Sequence, residues 1–242
     1  MRLILVQTGS TLPAIAAVKG DFDAMFRRGL FGDGDGEDVV LVDPRKGDAL
    51  PDPSDADAVL VTGSASMVTN REPWSERTKD WIPSVLDADV PFLAVCYGHQ
   101  LLAEAAGGKV GKNPRGREIG TIAVTLTDAG QQDRLLGALD ERPVLSMQST
   151  HVESVLELPE GATLLGHTPL DPHQAFRVGE RAWGVQFHPE IDADVSRAYV
   201  TGRADAIRAE GLDPEALAAA VRDTPAGTDL LRRFAALVRE GV

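Results

Sequence analysis

Residues Pro91 to Gly108 read PFLAVCYGHQLLAEAAGG. Phe92 to Val95 is a continuous apolar run, the pattern of a strand buried on both faces. From Gly98 the spacing becomes helical, with Leu101, Leu102, Ala105 and Ala106 apolar, and Gly107-Gly108 stops the helix. Cys96 stands at the joint. A residue on a sharp strand-to-helix turn projects out of the sheet, and the unpaired amides of a helix N-terminus favour a thiolate there. Gly98 two positions later and Ala94 two positions earlier leave room for the bend. The chain's one cysteine reads as a nucleophile on an elbow or as a small apolar residue packed below a sheet. This stretch alone leaves both open.

The same alternation continues on either side of the elbow. Arg2 to Gln7, Val39 to Val42 and Ala58 to Thr62 are further apolar runs, and Gly20 to Leu30 and Ser75 to Leu86 carry helical spacing. Strands alternating with helices predict a doubly wound α/β layer fold. Asp33 to Asp38 is acidic and glycine-rich and reads as a surface loop. The second half is richer in strands: Glu118 to Leu126, Val144 to Met147, Ala162 to Gly166, Gln174 to Val178 and Ala182 to Phe187, the last two joined by a turn at Gly179-Glu180-Arg181. After Glu190 the chain turns helical. Asp192 caps a helix bearing Val195, Tyr199, Ala206 and Ile207, Asp213-Pro214 opens another, and Leu230, Leu231, Phe234, Leu237 and Val238 form the stripe of a last one. The expected organisation is one α/β domain over residues 1–190 with a helical extension, 191–242, packed on it.

Composition narrows the function. The chain has 242 residues, 43% of them hydrophobic, and 24 Lys and Arg against 37 Asp and Glu give a net charge of −13. So acidic a surface repels phosphate backbones and anionic lipids, so neither nucleic acid nor membrane is expected as a partner. No apolar run approaches the ~20 residues of a membrane span. A single cysteine forms no internal disulfide, and a cytoplasmic location is expected.

If Cys96 is a nucleophile, a base must stand near it. Of the five histidines, His188 ends the apolar run Trp183 to Phe187, which places its ring at the sheet edge where an elbow residue also lies. Pro189 stiffens the following turn and holds Glu190 near the ring, where its carboxylate can fix the tautomer. Taken alone, His188-Pro189-Glu190 reads better as a solvated turn; paired with the elbow, it reads as a base and its orienting carboxylate. His167, Asp171 and His173 are too loosely spaced to read as a metal site, and no metal or cofactor is expected.

VCYGHQ around Cys96 together with WGVQFHPE ending at Glu190 resembles the class I, triad-type glutamine amidotransferases, and in particular free-standing proteins similar to the amidotransferase domain of GMP synthase. VLVTGSASMV at Val59 to Val68 is similar to the family's oxyanion loop, and QSTHVESVLELPEGATLLG at Gln148 to Gly166 to its substrate-holding segment. The resemblance implies a flavodoxin-like three-layer α/β sandwich with a central, mostly parallel sheet. It implies that Cys96 attacks the side-chain amide of glutamine, that His188 carries the proton and that Glu190 orients His188. The N–H of Tyr97 and that of Gly63 or Ser64 would hold the oxyanion. Gln100, Thr150, His151 and Val152 would line the substrate pocket. Water would then release glutamate from a γ-glutamyl thioester.

Three positions depart from the family pattern. Ala94 replaces a frequent glycine. Gly63-Ser64 replaces Gly-Gly, which would strain Ser64 if that position needs a positive φ. Glu153 stands where aspartate is more usual. No phosphate-binding GxxxxGK[ST] and no GxGxxG occurs, so the ammonia is expected to pass to a synthase on another polypeptide. The alternatives are a hydrolase of γ-glutamyl peptides or amides with the same triad, and a catalytically silent binding protein.

Overall fold

A computed structural model describes residues 1–32, 38–140 and 143–241. Most of the acidic run at Asp33 to Asp38 lies outside the described residues. The core is a nine-stranded sheet. In chain order its strands are β1 (Arg2–Val6), β2 (Asp38–Val42), β3 (Ala58–Val61), β4 (Phe92–Val95), β6 (Glu118–Leu126), β7 (Val144–His151), β9 (Thr163–His167), β10 (Ala175–Val178) and β11 (Ala182–Val185). They lie side by side as β2-β1-β3-β4-β11-β10-β9-β6-β7. The pairs from β2 to β11 are parallel, and those from β11 to β7 are antiparallel. Seven of the nine strands therefore point the same way, with β10 and β6 reversed. The parallel half has the flavodoxin-like order, and a site is expected beyond its carboxyl edge. β5 (Lys109–Lys112) and β8 (Glu153–Glu157) form a separate antiparallel pair.

The strands of the parallel half are apolar on both faces because helices cover both. One face packs Leu3, Leu5, Leu60, Leu93, Val95 and Trp183 against α2 (Phe22–Phe31) and the last helix, α9 (Pro225–Arg239), through Phe26, Leu230, Leu231 and Phe234. The other packs Ile4, Val59, Val61, Phe92 and Ala94 against α3 (Pro73–Asp87) and α4 (Tyr97–Ala105) through Ile82, Val85, Leu101 and Leu102. The result is a three-layer α/β sandwich. Short helices α1 (Pro13–Lys19) and α5 (Asp128–Gln132) complete the first part, and α6 (Ala193–Gly202), α7 (Ala204–Ala209) and α8 (Pro214–Ala220) precede α9.

The predicted caps form: the Asp192 carboxylate accepts from Val195 N and that of Asp213 from Ala216 N. The expected single helix from Asp192 through Ile207 is instead two. It breaks at Arg203, which ends α6 and opens α7 with φ −114° and ψ 14°. Gly202, a poor helix former, precedes the break. Four elements went unread. β5 (KVGK) and β8 (ESVLE) lack an apolar run, α5 is short and polar, and α1 is a seven-residue helix opened by Pro13.

Candidate active site

Four loops meet at the carboxyl edge of β1, β3, β4 and β11. β4 hands directly to α4 through Cys96, whose φ of 51° and ψ of −98° lie in a region that non-glycine residues avoid. The turn is held by Cys96 N donating to Val185 O at 2.8 Å and Gly98 N to Thr62 O at 3.3 Å. A Cβ at Gly98 would fall 2.6 Å from the Val61 carbonyl oxygen, so this close approach requires glycine. Cys96 is 5% exposed. Tyr97 is the first residue of α4, so its amide has no partner within the helix. Its ring stacks on Trp74 at 5.5 Å and its hydroxyl meets Ser75 Oγ at 2.6 Å.

The turn after β11 brings in the other two residues. His188 N donates to Gln148 O at 2.8 Å, and His188 Nδ1 lies 2.7 Å from Glu190 Oε1. The Glu190 carboxylate accepts, so Nδ1 carries a proton and Nε2 faces away from it. Nε2 has no hydrogen-bond partner among the described residues. Burial pushes the imidazole pKa down, but Glu190 and Cys96 outweigh it and raise it to about 10. Burial pushes the Cys96 thiol up, and His188, with help from His151, brings it below the ordinary thiol range. The pair therefore favours thiolate and imidazolium.

Gly63 sits between them. A Cβ there would fall 2.8 Å from His188 Cε1 and 3.5 Å from the Cys96 Cβ. The Gly63 carbonyl accepts from Thr8 Oγ1 at 3.2 Å and Thr62 Oγ1 at 3.1 Å. In a trans peptide the next N–H, that of Ser64, points the opposite way. Ser64 is not among the non-glycine residues with positive φ, which among the described residues are Arg71, Asp89 and Cys96. The feared strain of a serine at this position does not arise.

A cavity of about 260 Å³ opens above Cys96. Ser64, Cys96, Tyr97, Gln100, Thr150, His151 and Val152, all candidates from the sequence, line it. Gly63, His188 and Glu190 are not on its wall. Gln100 donates its amide N–H groups to Glu153 O at 2.9 Å and Gln186 Oε1 at 3.0 Å. His151 Nδ1 lies 2.9 Å from Glu153 O and Nε2 lies 3.1 Å from Glu118 Oε2. Both partners only accept, so both ring nitrogens donate. Burial opposes this charge, but Glu118 and Asp171 outweigh it and raise the His151 pKa. The unusual Glu153 reaches Thr69, whose hydroxyl and amide both donate to it, tying the loop after β3 to β8. His99 packs under the sheet against Phe176 at 4.8 Å, and burial pushes its pKa down to about 4.

Sequence reasoning missed two arginines in this cavity, Arg117 and Arg203. Arg117 forms a two-pronged pair with Glu210, both contacts 2.8 Å. The Gly202-Arg203 break inside a helical run is the signal that could have found the other.

A family model described as glutamine amidotransferase class-I matches residues 39–201. A glutamine amidotransferase-like protein of Schizosaccharomyces pombe is 31% identical over 145 residues, covering 59% of this chain and 56% of that protein. A glutamine-hydrolyzing GMP synthase of Aeropyrum pernix is 37% identical over 145 residues, 60% of this chain and 26% of its own length. Gamma-glutamyl peptidase 5 of Arabidopsis thaliana is 31% identical over 150 residues, 60% of this chain and 59% of its own length. The chain thus spans between about a quarter and three fifths of these relatives. A glutamine amidotransferase structure from Thermotoga maritima superposes with a TM-score of 0.76 at 23% identity, covering 99% of this chain and 98% of that one.

Proposed function

This chain belongs to the class-I glutamine amidotransferase family, and on that premise we propose that it hydrolyses the side-chain amide of glutamine through Cys96, His188 and Glu190. The observation that carries the reading is the buried chain of contacts from Glu190 to His188, with a cysteine whose thiolate that histidine stabilises. The Cys96 sulfur attacks the γ-carboxamide carbon. Charge develops on the amide oxygen, and the N–H groups of Tyr97 and Ser64 receive it. The pinned Gly63 carbonyl favours Ser64 over Gly63 as the loop's donor. Losing one such donor commonly adds about 3 kcal/mol to the barrier. His188 Nε2 then protonates the departing ammonia, and Cys96 is left as a γ-glutamyl thioester. Water, deprotonated by the same nitrogen, attacks the thioester carbonyl and frees glutamate and the thiolate.

Relatives whose name is GMP synthase support an ammonia-consuming synthase as the acceptor, and the peptidase relative supports a γ-glutamyl peptide as an alternative substrate. Both readings share every step up to the thioester and differ only in the leaving group. Feeding purified protein glutamine and, separately, a γ-glutamyl dipeptide distinguishes them. We expect glutamate and ammonia from glutamine, none of it with Cys96→Ala. Faster turnover of the dipeptide would favour the peptidase reading. Turnover of glutamine that survives both Cys96→Ala and His188→Ala would overturn the triad.

A further inference from the structure

Arg203 enters the cavity from the break between α6 and α7, beyond the residues the family model matches. Its guanidinium lies 4.6 Å above the Tyr199 ring, and Nη1 donates to Thr150 Oγ1 at 2.5 Å. Tyr199 is itself fixed by a 2.6 Å contact between its hydroxyl and Thr11 Oγ1. Thr150 takes one of the five N–H donors of the fork. The neighbouring Arg117 has Glu210 as a counter-ion, whereas no carboxylate among the described residues lies within ion-pair distance of Arg203. Burial lowers the pKa of Arg203, and Arg117 adds to that, while Tyr199 and Cys96 oppose it. A partly buried guanidinium without a counter-ion is costly. In a chain of net charge −13, keeping one at the mouth of a reaction cavity is informative, because the surrounding field repels anions.

We propose that Arg203 is the α-carboxylate receptor of this site, so that the enzyme selects γ-glutamyl compounds bearing a free α-carboxylate. The inference rests on the glutaminase reading above and adds the residue that fixes which end of the substrate enters. A planar fork pre-oriented on an aromatic face suits a carboxylate, with which it can form two parallel hydrogen bonds. Thr150 sets the rotation of the fork, and Tyr199 sets its height. The C-terminal helices therefore carry part of the specificity, and the family-matched segment carries the chemistry.

Binding is measured first, without turnover, in the Cys96→Ala protein. Calorimetry should show glutamine binding about 10- to 100-fold more tightly than glutaminamide, its α-carboxamide, the range expected for a charge-assisted pair. Adding Arg203→Gln should weaken glutamine by a similar factor and abolish the preference; Arg203→Lys should restore part of it. In the otherwise wild-type enzyme Arg203→Gln should raise KM with little change in kcat, because the contact is present in ground and transition states alike. Equal binding of glutamine and its α-amide, or a preference that survives Arg203→Gln, would overturn the proposal. Failure of the glutaminase reading looks different: the protein carrying Cys96 would release no ammonia from glutamine.

Discussion

Cys96 occupies a left-handed backbone conformation that costs about 1–3 kcal/mol at a non-glycine residue, and the strain aims its sulfur. Around it, opposing effects of different size decide the charge state. Burial and Glu190 push the thiol pKa up, whereas His188 and His151 push it down and win. In wild type, alkylation of Cys96 by iodoacetamide should therefore persist to lower pH than that of an ordinary thiol. His188→Ala removes the main lowering influence and leaves burial, so the midpoint should move upward, past the free-thiol value. An unchanged midpoint would mean that His188 does not hold the thiolate. Gly63 makes a second residue-scale case. Its added methyl in Gly63→Ala would sit 2.8 Å from His188 Cε1, and displacing a reacting group by about an ångström can cost 10²-fold in rate. We expect kcat to fall by about that factor while the melting temperature moves by only a few degrees, as read by thermal scanning beside the glutaminase assay. At this scale the sequence was legible wherever a polar or thiol side chain coincided with a turn signal. Cys96, His188 and Glu190 each follow the end of a buried strand. Arg203 was hidden because a charged residue in a helical run reads as solvent-facing, and only the break at Gly202 turns it inward.

Helix α9 shows how an element far along the chain reaches the site. Its second residue after Pro225 is Gly227, and a Cβ there would lie 2.7 Å from Pro189 O and 3.2 Å from Pro189 Cα. The helix thus closes against the turn that carries His188 and Glu190. Gly227→Ala gains about 1 kcal/mol of helix propensity and meets about 1–3 kcal/mol of overpacking. The net change in stability should be small and unfavourable. Glutamine turnover should fall by more than that stability change explains, because the displaced turn carries His188, the base of the proposed triad; retention of full activity would show that the contact is slack. Most elements built from buried apolar runs were readable to within a residue or two: β6 matches its expected limits, Glu118 and Leu126, and β4 its expected Phe92 and Val95. β7 runs four residues past its expected end at Met147, because Gln148 to His151 are polar and carry no apolar signal. β5 and β8 were not readable, since a two-stranded pair without an apolar run is defined by its partner rather than by its own hydrophobicity.

At the scale of the whole molecule, the question is whether residues 191–242 are an appendage or part of the same cooperative unit. Leu230, Leu231 and Phe234 of α9 are fully buried, in one cluster with Leu3 and Leu5 of the first strand and with Trp183 of the last. Trp183 meets Phe234 edge-on at 6.3 Å and donates its indole N–H to Asp133 Oδ1 at 3.0 Å. The chain's two ends are therefore packed through one core. A helix that merely decorated the domain would melt alone, and its loss would leave the sheet intact. We expect the reverse. Phe234→Ala should remove about 3–5 kcal/mol, and in urea it should shift Trp fluorescence and far-ultraviolet circular dichroism together and by the same amount. Trp183 is the fully buried tryptophan of the three, so the fluorescence change reports chiefly on the sheet. A helical signal lost at low urea, with the fluorescence midpoint unmoved, would make the C-terminal helices a separable extension. It would also loosen the argument for Arg203, whose position depends on α6 and α7 holding still against the sheet through Tyr199 and Thr150. The urea experiment thus bears on the proposed specificity as well as on domain organisation, because a carboxylate receptor at Arg203 is only as rigid as the helices that carry it.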